Sequence, residues 1–202
     1  MSKLASGDQR GMGLRERKKA KTMASIQMHA LRLFREMGYN STTVEQIAEA
    51  AEISPSTFFR YFSTKEDVII TDNYDPILIE AFEKQPPDLS PLQAIQAAML
   101  SGVEGMSDQE LIAMRERNQL IMSVPELRAA LLNNMMRTME MITGMVAKRS
   151  GRSSDDFAVS TLAGAIIGVN ISVMMHHAEH PDQKFADLLE SALSSLESGL
   201  PL

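Results

Sequence analysis

Between residues 54 and 65 the chain sets hydroxyls, rings and cations close together: Ser54, Pro55, Ser56, Thr57, Phe59, Arg60, Tyr61 and Lys65, with Thr43 a short way upstream. Hydroxyls and a lysine donate to phosphate oxygens, and an arginine reaches the two acceptors on a guanine edge. A phenylalanine can lie against a sugar or a thymine methyl. A short helix gains no stability of its own by exposing Phe, Arg and Tyr together, so this face suits a surface that meets a partner. Arg15, Arg17, Lys18, Lys19 and Lys21 add salt-dependent attraction to a polyanion, or else form a solvated helix start.

Other chemistries find less support. There is no cysteine, which removes disulfides, thiolate metal sites and thiol nucleophiles together. No Ser-His-Asp order, phosphate-cradling glycine loop or pair of carboxylates in a plausible cleft stands out. Neither an enzyme nor a cofactor is expected. His176 and His180 stand one helical turn apart, a usable pair of metal ligands. No carboxylate shares their face, so they read as cations at a helix end before Pro181, and no metal is expected.

Charge divides the chain. Residues 1–65 carry 11 Lys and Arg against 6 Asp and Glu, net +5, and residues 66–202 carry 9 against 20, net −11. A basic module that meets an anion and a separate acidic body follow from this asymmetry. At 202 residues and 44% apolar composition, the chain is long enough for one or two domains with a core. No uninterrupted run of about 18 apolar residues predicts a membrane span. The opening MSKLASGDQRGMG lacks an apolar segment, so a cytoplasmic protein is expected.

The elements that position these residues read as helices throughout, about nine of them, with no alternating β-branched run. Residues 1–14 are expected to be a disordered arm. Helix one spans about Arg15 to Met37, with an apolar stripe of Met23, Ile26, Ala30, Leu33, Phe34 and Met37, and Gly38 closes it. Helix two spans about Val44 to Ala50 and helix three about Pro55 to Phe62, capped by Thr43 and Ser54. Val44, Ile47, Ala48, Ile53, Phe58 and Phe62 form their shared core. The fourth helix runs from about Thr64 to Lys84, bent or interrupted near Pro76, and five more follow near 91–105, 108–122, 124–149, 154–179 and 182–197. Capping boxes are predicted for Thr43 with Gln46, Ser63 with Glu66, Ser90 with Gln93, Ser107 with Glu110 and Ser123 with Glu126.

Two short helices joined by Ala51-Glu52-Ile53 have helix-turn-helix proportions. The stretch ALRLFREMGYNSTTVEQIAEAAEISPSTFFRYFSTKEDV, within Arg15 to Val68, resembles the DNA-binding domain of the TetR family of bacterial repressors. The family's Thr-Val, Ile-Ala and third-helix motifs fall on Thr43-Val44, Ile47-Ala48 and Ser54 to Phe62, and its lysine at the next helix start on Lys65. There are two departures. Glu52 stands where many members have Gly, at a cost on the order of 1 kcal/mol if its φ is positive. Phe59 stands where many have Tyr, losing one hydroxyl directed at phosphate. The resemblance implies a helix-turn-helix domain at 15–63 and a helical effector-binding and dimerisation domain at 64–202. SVPELRAALLNNMM and KRSGRSSDDFAVSTLAGAIIGV are similar to the subgroup that includes mycofactocin-system and acyl-coenzyme-A-responsive regulators.

Eleven of the sixteen methionines lie from Met99 onward, and methionine suits permissive apolar surfaces. Met99, Met114, Met122, Met135, Met139, Ile142 and Asn170 are therefore the candidate ligand-binding residues, ordinary core filling being the other reading. Small residues at 163–168 and a leucine stripe on the last helix fit two helices that pair with a second copy, or that close one core. Together these readings predict a homodimeric repressor that binds a palindromic operator in double-stranded DNA. A small apolar or acyl molecule, acyl-coenzyme A included, would release it. The alternative is a helical small-molecule-binding protein or enzyme with no DNA role.

Overall fold

The computed structural model describes residues 14–71 and 74–201, and regular structure among them is all helical. The helices are α1 (Leu14–Met37), α2 (Val44–Ala50), α3 (Pro55–Tyr61), α4 (Asp67–Ile70), α5 (Tyr74–Glu83), α6 (Pro91–Glu104), α7 (Asp108–Ser123), α8 (Pro125–Ser150), α9 (Phe157–Glu179) and α10 (Phe185–Glu197). Among the described residues there are ten because the expected fourth helix is two, interrupted shortly before Pro76, one of the two forms expected there. Pro76 lies in the first turn of α5, where a missing N–H costs nothing. Of the arm expected at 1–14, residues 1–13 lie outside the described residues and Leu14 starts α1. The chain forms two compact units, one up to Ile69 and one from Ile70, so the boundary falls beyond the expected 63/64.

In the first unit α1 buries Met23, Ile26, Ala30 and Phe34, whereas Met37, expected in the stripe, is 39% exposed. Gly38 takes φ +85°, the left-handed turn that ends a helix without a Cβ clash. Thr42, also buried, donates its hydroxyl to the Gly38 carbonyl at 2.9 Å. The Thr43–Gln46 capping box is complete and starts α2. Ile47, Ala48, Phe58 and Phe62 are buried, while Val44 and Ile53 are only half-buried. The Phe58 and Phe62 rings lie 5.7 Å apart, so truncating Phe58 to Ala would cost about 3–5 kcal/mol.

In the second unit the largest core joins α5, α6, α8 and α9 through Phe82, Ala94, Ile95, Ile142, Val146, Ala163 and Ile166. A smaller core joins α9 to α10 through Val173, Leu189 and Leu193. Gln93 Nε2 donates to Glu197 at 2.7 Å and Gln96 Nε2 to Ser194 at 3.0 Å, fixing α10 along α6. Ser90–Gln93 and Ser107–Glu110 form the expected boxes. Ser123–Glu126 does not: Ser123 ends α7, its hydroxyl donates back to the Leu120 carbonyl, and α8 starts at Pro125 without a side-chain cap. By length and composition α9 could cross a membrane, against the expectation, and a third of its most apolar stretch is buried.

Candidate nucleic-acid interface and ligand cavity

Ser54 starts α3. Its Oγ accepts the Thr57 N–H at 3.1 Å and lies 2.8 Å from Ser56 Oγ and 2.9 Å from Thr57 Oγ1. Three hydroxyls thus cluster beside Pro55 at the positive end of the helix dipole. Burying Phe58 turns its neighbours outward: Phe59 is 53% exposed, Arg60 is exposed and Tyr61 half-buried. The Arg60 guanidinium carbon lies 5.4 Å from the Tyr61 ring centre, which limits the directions the long side chain takes. The turn before α3 holds Glu52 at φ +56°, where a side chain costs on the order of 1 kcal/mol. Lys18, Lys19 and Lys21 are exposed on α1.

Two of the expected phosphate donors have other duties. Thr43 Oγ1 accepts the Gln46 N–H at 3.3 Å, leaving its own O–H to donate outward. Lys65 Nζ donates to the carbonyls of Tyr39 at 3.0 Å and Thr42 at 3.2 Å and sits 4.0 Å from the Tyr39 ring centre. One of its three N–H bonds remains for an anion. The expected Ser63–Glu66 box is absent. Asp67 instead accepts the N–H groups of Ser63 and Thr64 at 3.1 Å each. Glu66 takes the Tyr39 hydroxyl. Burial pushes the Glu66 carboxyl up, but hydrogen bonds from Tyr39, its own backbone and Thr64, with the Lys65 charge, outweigh burial and leave it below its ordinary 4.5.

The second unit holds a partly open cavity of about 200 Å³. Of the candidate ligand-binding residues, Met99, Met114, Met135, Ile142 and Asn170 line it; Met122 and Met139 do not. Met139 packs instead beside Gly164 of α9, and Met122 lies at the α7 end, its carbonyl accepting from Arg128 at 2.9 Å. Sequence reasoning missed Asp75, Arg117, Asn118, Asn134 and Thr138, all of which line the cavity. The signal was there for Asn118. It stands between Met114 and Ile121 at helical spacing, a polar residue inside an apolar stripe, like Asn170 between Ile166 and Met174. Ile70 at the end of α4, and Ile77 and Leu78 of α5, also line the cavity.

Beside the cavity-lining Phe185, the His177 ring is buried, edge-on at 5.4 Å. Burial and the nearby Arg115 charge lower its pKa below 6.5, against a hydrogen bond to the Gln183 backbone that raises it. The His176 and His180 rings lie 4.4 Å apart. Among the described residues no group of three or more His, Cys, Asp or Glu could hold a metal.

The profile described as "Bacterial regulatory proteins, tetR family" matches residues 28–70, and that described as "MftR C-terminal domain" matches residues 89–201. The chain is 37% identical over 153 residues to the transcriptional regulator TcmR of Streptomyces glaucescens, covering 72% of this chain and 68% of that one. It is 28% identical over 186 residues to MftR of Mycobacterium tuberculosis, covering 91% and 93%. Among solved structures, NalD of Pseudomonas aeruginosa shares the fold at TM-score 0.59 and 21% identity, over 90% of this chain and 97% of that one. Thermus thermophilus FadR, solved with lauroyl-CoA, shares it at TM-score 0.57 and 22% identity, over 89% and 95%. With both halves matched and the α3 face and the cavity in place, the chain belongs to the TetR family of bacterial transcriptional regulators, DNA-binding proteins rather than enzymes, and carries an MftR-type C-terminal domain.

Proposed function

We propose that the protein is a cytoplasmic homodimeric repressor that leaves a palindromic operator when a small, mostly apolar molecule fills the cavity. The observation that carries the DNA half is α3, where Phe59 and Arg60 are exposed while Phe58 beside them is fully buried. Arg60 reads a base edge, Phe59 packs on a sugar or methyl, and Ser54, Ser56, Thr57, Thr43, Tyr61 and the remaining Lys65 N–H hold phosphates.

The dimer rests on α9. Phe157 is 83% and Met175 50% exposed, and Thr161, Gly168 and Ser172 between them are exposed as well. At helical spacing these positions fall on one face, small in the middle and bulky at both ends. Two such faces related by a two-fold axis approach closely and bury apolar surface that one copy leaves in water. A symmetric dimer presents two α3 helices, which require two half-sites of inverted sequence.

Effector action follows from the lining. Ile70, Ile77 and Leu78 belong to the segment that leads out of the helix-turn-helix. A ligand that fits better when this segment moves favours the dimer whose half-site spacing is wrong. The test is a mobility shift on the DNA upstream of the protein's own gene. Specific retardation at physiological salt is expected, and binding no tighter than to random DNA refutes the reading.

A further inference from the structure

The cavity has a polar waist. Along α9 its lining runs Ile166, Asn170, Met174; along α7, Met114, Asn118, Ile121; along α8, Leu131, Asn134, Thr138, Ile142. On α7 and α9 one carboxamide stands a turn from an apolar residue on either side, and on α8 the pair Asn134 and Thr138 stands between Leu131 and Ile142. Asn118 is only 3% exposed, and among the described residues no protein group hydrogen-bonds to its side chain or to that of Asn170. Two carboxamides without protein partners add nothing to the packing of an otherwise apolar wall, whereas a ligand that hydrogen-bonds them supplies the partners they lack.

We propose that this cavity takes a compact neutral molecule with a ring skeleton and carbonyl or hydroxyl groups at its middle, which Asn118 and Asn170 hydrogen-bond; this rests on reading the cavity as the effector site. A carboxamide both donates and accepts, so a pair of them suits a hydroxyl or a carbonyl. A carboxylate only accepts, and would leave the amide oxygens unmatched. The two charged lining residues, Asp75 and Arg117, are opposite in sign, so the wall favours neither anion nor cation. A saturated acyl chain would set methylenes against both amides. Size agrees: about 200 Å³ is somewhat more than the roughly 150 Å³ that holds a benzene, room for a fused pair of rings.

The test is isothermal titration of the full chain with 5-hydroxy-1-tetralone, with tetralin, the same skeleton without oxygen, and with lauroyl-coenzyme A. Hydroxytetralone should bind at least about tenfold tighter than tetralin. Asn118→Leu and Asn170→Leu should each remove about tenfold of its affinity while tetralin binding holds or improves. The unliganded Asn118→Leu protein should melt no lower than wild type, because the amide it loses has no protein partner to leave behind. Equal affinities for the two ring compounds, or unchanged hydroxytetralone binding in both variants, overturns the proposal. Should Asn118→Leu not fold, Asn170→Leu at a half-buried position carries the affinity test alone. Binding of tetralin or lauroyl-coenzyme A without hydroxytetralone overturns this proposal and leaves the effector-site reading standing. No binding by any of the three overturns both.

Discussion

The Lys65 ammonium sits 4.0 Å from the centre of the Tyr39 ring and donates to the Tyr39 carbonyl at 3.0 Å. The Tyr39 hydroxyl in turn donates to Glu66, next to Lys65 in sequence. One aromatic residue thus receives a cation on its face and a carboxylate at its tip, and the loop after α1 is tied to the start of α4. A residue that sequence alone offers as a phosphate donor is first a structural clasp.

Tyr39→Phe should therefore destabilise the protein by about 1 kcal/mol at pH 7, the usual worth of a partly buried hydrogen bond. The Glu66 carboxyl binds its proton less tightly in the fold than in the unfolded chain. Its contribution is full above the ordinary value of 4.5 and is lost as pH falls through the lower folded value. Urea midpoints of the two proteins should converge in that acid range. A gap that persists or widens there would remove Glu66 from the clasp.

Arg60→Ala should cost about 1–3 kcal/mol of operator affinity and relax the preference at one base position. Binding selection from a randomised library measures both. Equal losses on every sequence would place Arg60 on phosphate instead.

Glu52→Gly should raise stability by roughly 0.5–1 kcal/mol. It relieves a side chain held at φ +56° and partly offsets that gain with extra freedom in the unfolded chain. A thermal midpoint below wild type would mean that the Glu52 side chain contributes something its backbone strain does not reveal.

Gly168→Gln should yield a folded monomer. A Cβ added at Gly168 meets nothing within 4 Å in its own subunit, and glutamine is the better helix former. A face packed against a second copy at small-residue distance has no room for it. Light scattering should show half the wild-type mass with an unchanged helical spectrum. A dimer of full strength would move the interface off α9.

The sequence determined a good deal. Helix periodicity and capping chemistry act within a few residues, so α2 matched its expected bounds, as did the Thr43, Ser90 and Ser107 boxes. The same local logic placed Phe58 and Phe62 inward and Phe59 and Arg60 outward, and the left-handed φ of Glu52 stands where the family resemblance implied a glycine. It failed where two local partners competed. Ser63 and Glu66 have the right spacing, but Asp67 takes the backbone donors and Tyr39, 27 positions from Glu66, takes the carboxylate. The cavity lay beyond sequence altogether. Methionine at helical spacing is the same pattern whether it fills a core or lines a void, and only the packing of α7, α8 and α9 left Met135 in the wall and sent Met139 against Gly164. Which amides line the cavity without a protein partner is likewise a long-range matter, because a hydrogen bond needs a partner within about 3 Å, whatever its distance along the chain.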